Sequence, residues 1–296
     1  MTAVPTAVDP RPTNWGRWGD DDELGTLNFI TDESRARGAA AVRTGRTVSL
    51  AHPIVPVTLA GGGAVPHGPS PMPAPVQQML YFTGSPAPAL ADVLIVNTHH
   101  IAMTHVDALA HIPVDGHVYP GVPVGQAASR GRLTHGSTTA FAAGITTAGT
   151  FLDLAPGGRL DPGYEIVAAD LDTAEQRAGV RVRSGDALVL RGGWDIHRDL
   201  VEPLPTMTLD AVRWLADREI SLLASDVGDR PPGPGSIPVL HSVGLARLGL
   251  PLVDNTHVTD LAAVCSELNR LQFLFVLGAL PVLGATGVPV SPLAIF

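Results

Sequence analysis

Residues 98–121 read THHIAMTHVDALAHIPVDGHVYPG and hold five of the chain's eleven histidines, His99, His100, His105, His111 and His117, together with the carboxylates Asp107 and Asp115. Imidazole nitrogen and carboxylate oxygen are donors that suit Zn²⁺ or Mn²⁺, whereas Ca²⁺ and Mg²⁺ prefer shells of oxygen alone. His105 and Asp107 are two apart, so an extended segment points both to one side. His111 follows Asp107 by four, one turn away if the chain coils there. Three such groups within seven residues predict a divalent-cation site with His105 and Asp107 as ligands. His111 is then a general base or a further ligand. His100, His117 and the later His135 read as surface or loop residues.

A cation held by few protein groups keeps a position for water. It lowers the pKa of that water from about 15.7 towards 7 and polarises a carbonyl. A neighbouring imidazole that takes the proton adds roughly 10²–10⁴-fold. Other catalytic arrangements fit poorly. No G-x-S-x-G elbow is present. The glycine clusters at 61–63 and 284–287 lack the lysine and strand-to-helix setting of a phosphate loop.

The elements that must position these groups can be read from pattern. Just ahead of the histidines, DVLIVN at 92–97 has the length and β-branching of a buried strand. Residues 31–45 predict a helix with Thr31 as N-cap and Gly45 as stop, and 46–59 a strand. A loop rich in Gly and Pro follows at 61–75, holding His67 and Met72. Residues 77–83 predict another strand, with Met79 and Phe82 lining a pocket or packed in the core. Strands are expected at 144–154, 185–194, 220–226 and 271–280, and helices at 168–179, 209–218, 239–248 and 259–266. His241 falls near the start of the third of these helices. Asp226 ends a strand, a place where site residues gather. The alternation of strand and helix indicates an α/β protein.

Composition narrows the function classes. The 296 residues allow one large domain. Net charge is −9, and all 19 basic residues are arginine, without a basic run, which argues against nucleic acid as partner. The single cysteine, Cys265, excludes an internal disulfide and a cysteine-rich metal site. The opening residues lack the pattern of a signal peptide, so a cytoplasmic enzyme is the expectation. Residues 271–296 carry no charge, but Pro281, Pro289 and Pro292 with three glycines break them into a strand and an extended tail, so no membrane span is expected.

The histidine segment resembles the cyclase family of metal-dependent hydrolases, which includes bacterial kynurenine formamidase and isatin hydrolase. Thr104, His105, Asp107 and His111 match the T-H-x-D-x-x-x-H part of its H-x-G-T-H-x-D-x-P-x-H pattern. The family's first His falls on Ile101, its Gly on Met103 and its Pro on Leu109. A longer branch reads T-H-x-D-A-L-x-H, then D/E-G and Y-x-G, as here in Asp115-Gly116 and Tyr119-Pro120-Gly121. Residues 14–30, GDALVLRGGW at 185–194, and the tail GATGVPVSPLAIF are similar to other stretches of that branch.

The resemblance implies a swivelling β/β/α domain over 1–296, with an N-terminal arm at about 1–30. It implies hydrolysis of an amide, lactam or related bond in a small cyclic or aromatic substrate, and a homo-oligomer. It adds His241 and Asp254 as metal ligands, with His99, His100 or a water replacing the missing first His. Trp15, Trp18, Phe82, Trp194 and Asp226 are then substrate-side candidates. A metal-dependent cyclase, dehydratase or isomerase is the alternative reaction, and a metal-free member the third reading.

Overall fold

The computed structural model describes residues 11–58, 74–86, 88–199, 202–229 and 238–296. The expected loop with His67 and Met72, through residue 73, lies outside the described residues, as do the first ten of the N-terminal arm. The principal strands are β1 (Thr47–Ser49), β2 (Val57–Thr58), β3 (Val76–Phe82), β4 (Leu90–Val96), β5 (His105–Asp107), β6 (Ile145–Asp153), β7 (Ala187–Arg191), β8 (Leu222–Ser225), β9 (Leu252–Asp254), β10 (Gln272–Leu277), β11 (Gly287–Pro289) and β12 (Leu293–Ile295). Nine of them form one sheet in the order β1-β12-β10-β6-β7-β8-β9-β5-β11. The middle, β6 to β9, is parallel, and both flanks are antiparallel. Successive residues of β7, Ala187 to Leu190, are all buried, as expected for a strand covered on both faces.

Four helices pack around the sheet: α1 (Asp32–Ala41), α2 (Ala168–Ala178), α3 (Leu209–Asp217) and α4 (Thr259–Leu268). Thr31 starts α1 as expected. Its hydroxyl accepts from the Ser34 amide at 3.2 Å, and the Ser34 hydroxyl accepts from the Thr31 amide at 3.0 Å. Gly38 lets α1 lie against β6, because a Cβ there would stand 2.8 Å from the Thr147 carbonyl oxygen.

Several expectations are corrected. DVLIVN does form a strand, but not a buried one. β4 pairs with β3 in a separate sheet ordered β2-β3-β4, and its residues stand exposed. The 46–59 stretch supplies only β1 and the two-residue β2. The helix expected over 239–248 is a wide π-type turn, Leu240–Leu245, in which the Ala246 amide reaches back five residues to the His241 carbonyl at 3.0 Å. His100 is wholly buried. The uncharged C-terminal stretch supplies β10, β11 and β12, and among the described residues no helix is long and apolar enough to cross a membrane.

Candidate metal centre

Asp107 ends β5, which lies between β9 and β11 in the sheet. The two-residue period puts His105 and Asp107 on the same side, as the spacing predicts. Antiparallel pairing sets Asp254 of β9 directly opposite His105. After Asp107 the chain turns, with the His111 amide donating to the Ala108 carbonyl at 2.9 Å. That turn folds His111 back over the strand end. His99 arrives from the segment before β5, and His241 from the π-type turn.

These groups converge on the Asp107 carboxylate. His99 Nδ1 lies 2.9 Å and His105 Nε2 3.5 Å from its Oδ1. His241 Nε2 lies 3.4 Å from its Oδ2 and 3.2 Å from Asp254 Oδ2. Two overlapping sets, His99–Asp107–His111 and His105–Asp107–Asp254, each bring three ligand-type atoms within 4.8 Å of one another.

The outer nitrogens of three of the rings are anchored. His105 Nδ1 meets the Met103 carbonyl at 2.8 Å, His99 Nε2 meets Thr286 Oγ1 at 2.9 Å, and His241 Nδ1 meets Asp229 Oδ2 at 2.8 Å. An outer N–H given to an oxygen leaves the inner nitrogen with its lone pair facing the cluster, as in histidines that bind metals. Asp229 does more. Its carboxylate also accepts the Leu240 and His241 amides at 3.0 and 2.7 Å, fixing the start of the π-type turn. Gly287 makes room for His99, because a Cβ there would stand 2.5 Å from the His99 ring.

Both oxygens of Asp107 and Nδ1 of His99 are buried without a hydrogen bond of good geometry. Yet His99 Nδ1 stands 2.9 Å from Asp107 Oδ1. The atoms are close but not aimed at one another, so the contact is not a well-formed hydrogen bond. A buried carboxylate without hydrogen bonds is costly. Donors that point at a shared centre are what a cation requires, so the residues fit a divalent metal.

The electrostatics agree. Burial opposes ionisation of Asp107, but His241 and His99, with His111 and His105 close by, outweigh it and hold the carboxyl well below the usual carboxylate range. Burial pushes the His111 imidazole down to about 4, His99 and His241 adding to this against the pull of Asp107. His111 is therefore neutral at pH 7. Its ring lies flat on His99, with centroids 3.7 Å apart and planes 6° apart. Burial also works against protonated His241, but Asp254, Asp107 and Asp229 outweigh it and raise its pKa.

The other candidates lie elsewhere. Asp226 accepts the amides of Gly192, Gly193 and Trp194 at 2.6, 2.9 and 3.0 Å, so its oxygens are used in holding that loop. Burial still pushes its carboxyl up to about 7. Trp194 is itself buried, donates its indole N–H to the Leu160 carbonyl at 3.1 Å and lies under Arg159. Both side chains are engaged in holding the 192–194 turn in place. Trp15 donates to the Ala246 carbonyl at 2.9 Å and covers Gly121, while Trp18 packs edge-on against Phe29. Phe82 is 68% exposed on β3.

Sequence spacing did not point to Asp229, Thr286 or the Met103 carbonyl. Thr286 lies in the GATG stretch, which was the one signal for it. A second histidine group also escaped notice. His52 stacks on His257 at 4.9 Å and meets His197 edge-on at 5.0 Å. His52 and His257 border a cavity of about 1040 Å³ between β1 and α4.

Comparison with known proteins agrees with this architecture. The crystal structure of a novel cyclase superposes with a TM-score of 0.80 at 28% identity, over 96% of this chain and 97% of that one. An isatin hydrolase bound to the product analogue thioisatinate gives a TM-score of 0.59 at 16% identity, over 90% and 99% of the two chains. Isatin hydrolase A from Labrenzia aggregata gives 0.58 at 18%, over 86% and 94%. The last two establish a shared fold. No curated protein matches the chain. A family model described as putative cyclase matches residues 48–229, more than half of the sequence, and the chain belongs to that cyclase family.

Proposed function

We propose that this protein is a metal-dependent hydrolase that opens an amide, lactam or related bond of a small cyclic or aromatic substrate with water. The observation that carries the reading is the Asp107 carboxylate, buried without a well-formed hydrogen bond at the meeting point of anchored imidazoles. His99, His105, Asp107, His241 and Asp254 would hold a Zn²⁺ or Mn²⁺ ion. His99 takes the place of the family's first histidine from two residues upstream of Ile101. When bound, the cation supplies Lewis acidity to a carbonyl and acidity to water.

The chain's own residues supply the rest. Neutral His111 accepts a proton as water attacks the carbonyl carbon, then returns it to the leaving nitrogen as the C–N bond breaks. Asp229 holds His241 in one ring orientation, and the Met103 carbonyl does the same for His105. The fold shared with isatin hydrolases supports a cyclic amide as the first substrate to try.

The test begins with chelator-stripped protein offered isatin and related lactams. Activity should vanish on stripping and return with Mn²⁺ or Zn²⁺, and turnover in ¹⁸O-water should label the product carboxylate. Full activity after stripping would end the metal reading. Metal-dependent turnover without label would favour the cyclase, dehydratase or isomerase alternative.

A further inference from the structure

The far end of the π-type turn that carries His241 is completed by residues from the other end of the sequence. The last carbonyls of a helical segment have no partner within it. Ala246 is wholly buried here and Leu248 only 3% exposed, so these carbonyls need donors from the protein. Residues 13–26 supply them to four consecutive carbonyls. Ala246 accepts from Trp15 Nε1 at 2.9 Å. Arg247 accepts from the Asn14 amide at 2.9 Å and from Thr13 Oγ1 at 3.2 Å. Leu248 accepts from Asn14 Nδ2 at 2.9 Å, and Gly249 from the Thr26 amide at 2.8 Å. A π-type turn is rare, and this one is held at both ends, by Asp229 at its start and by this segment at its finish.

The same segment grips the chain that follows His111. Tyr119 Oη donates to Asp22 Oδ2 at 2.9 Å. Glu23 Oε2 accepts from the Gly136 amide at 2.8 Å. The Gly136 carbonyl in turn accepts from the amide of Ala110, beside His111, at 3.1 Å. One short stretch therefore ties down both flanks of the metal centre. His241 stands on one flank and His111 on the other, with ring centroids 6.4 Å apart.

We propose that residues 13–26 are a strap that fixes His241 and His111 in place about Asp107, with Trp15 and Glu23 as positioning residues at its two ends. Trp15 serves the site without facing the substrate. Its indole nitrogen is committed to Ala246 and its ring to Gly121, where a Cβ would stand 3.1 Å away. The inference rests on the metal-centre reading for its effect on cation binding, while the strap itself can be tested in the absence of metal.

The first measurement uses chelator-stripped full-length protein. Trp15→Phe keeps a ring over Gly121 and removes only the N–H. Amides 241–250 of this variant should exchange with solvent roughly threefold to tenfold faster than in the wild type, as the loss of one hydrogen bond implies, while those of β6 exchange as before. The ring ¹⁵N signals of His241 should shift. Glu23→Ala, at a side chain 40% exposed, should instead shift the ring signals of His111. The second measurement is Mn²⁺ affinity by competition with a chelator. It should fall about threefold to tenfold in Trp15→Phe, less than the loss expected for a direct outer partner of a metal-binding histidine. Unchanged exchange at 241–250, or an equal rise in β6, would overturn the strap. A loosened turn with unchanged Mn²⁺ affinity would overturn its positioning role. A wild type without Mn²⁺ affinity would end the metal reading instead, and the exchange rates and the two rings' signals would then decide the strap by themselves.

Discussion

Strands β4 and β5 are separated only by residues 97–104, and their compositions invert their burial. β4 reads LADVLIV and is exposed along almost its whole length, while β5 reads HVD and is buried at every residue. Composition alone would exchange them. What decides is the neighbour each strand meets. β5 sits between β9 and β11 within the nine-stranded sheet, where His241, His99, His111 and His105 offset the burial of Asp107. β4 sits at the edge of a separate three-stranded sheet, and its side chains stand exposed among the described residues. In this molecule a polar strand is buried because its neighbours answer its charge, and an apolar strand stands exposed at a sheet edge.

The comparison breaks most severely at Asp107. If its burial rests on a shared cation, Asp107→Ala should reduce bound metal from near one equivalent to near zero, read by elemental analysis of gently purified protein, and abolish turnover. Wild-type metal content in this variant would leave β5 buried for some other reason. His111→Ala should separate the two roles open to that residue. As a base, its loss costs roughly 10²–10⁴-fold in kcat with metal content intact; loss of metal in parallel would make it a ligand.

Asp229→Asn should act more mildly, through His241. Outer partners of metal-binding histidines are worth about 10–100-fold in metal affinity, measurable by competition with a chelator. An amide at 229 can still accept the Leu240 amide, so the turn should survive while the His241 ring loses its charged partner.

How much of this was legible depends on the range of the interaction. The His105–Asp107 pair was readable because strand period is local, and Thr31 because a helix cap is decided within three residues. His241 and Asp254 came from a family pattern; spacing alone gives them no link to Asp107. Asp229 reaches His241 across a twelve-residue separation, and Thr286 reaches His99 across 187, so neither leaves a periodic trace. At Asp226 the sequence shows a carboxylate at a strand end but not its partners, the three amides of the Gly192–Trp194 turn that its oxygens accept from. DVLIVN differs from its expectation for a related reason, because an apolar pattern marks a strand without fixing which sheet it joins or how far it is buried.

A smaller effect is expected at His52. Burial, then the neighbouring His257 and His197, lower its pKa from 6.5 to about 4, against a weaker pull from Asp195. The unfolded chain therefore binds more protons at this position between those values. Its contribution to stability is complete above pH 6.5 and is lost as pH falls towards 4, with an upper bound of about 3 kcal/mol. His52→Gln should flatten the acid side of a stability-against-pH curve measured by urea unfolding. An unchanged slope would remove His52 as its source.

The last and smallest expected change lies in β4 itself, set against a leucine beside the metal centre. Leu109 is wholly buried, and Leu109→Ala should cost about 2–5 kcal/mol by urea unfolding at any protein concentration. Leu94→Ala should change the stability of the single chain by no more than about 0.5 kcal/mol, because its side chain is already 56% exposed there. The two should also differ in their dependence on dilution. If a copy of the chain covers β4, it adds stability by mass action, so wild-type unfolding midpoints rise with protein concentration, and Leu94→Ala weakens that rise while Leu109→Ala leaves it in place. A concentration-independent wild-type midpoint, or a Leu94→Ala cost of several kcal/mol in dilute solution, would mean that β4 is covered within its own chain, and the contrast with β5 would fail.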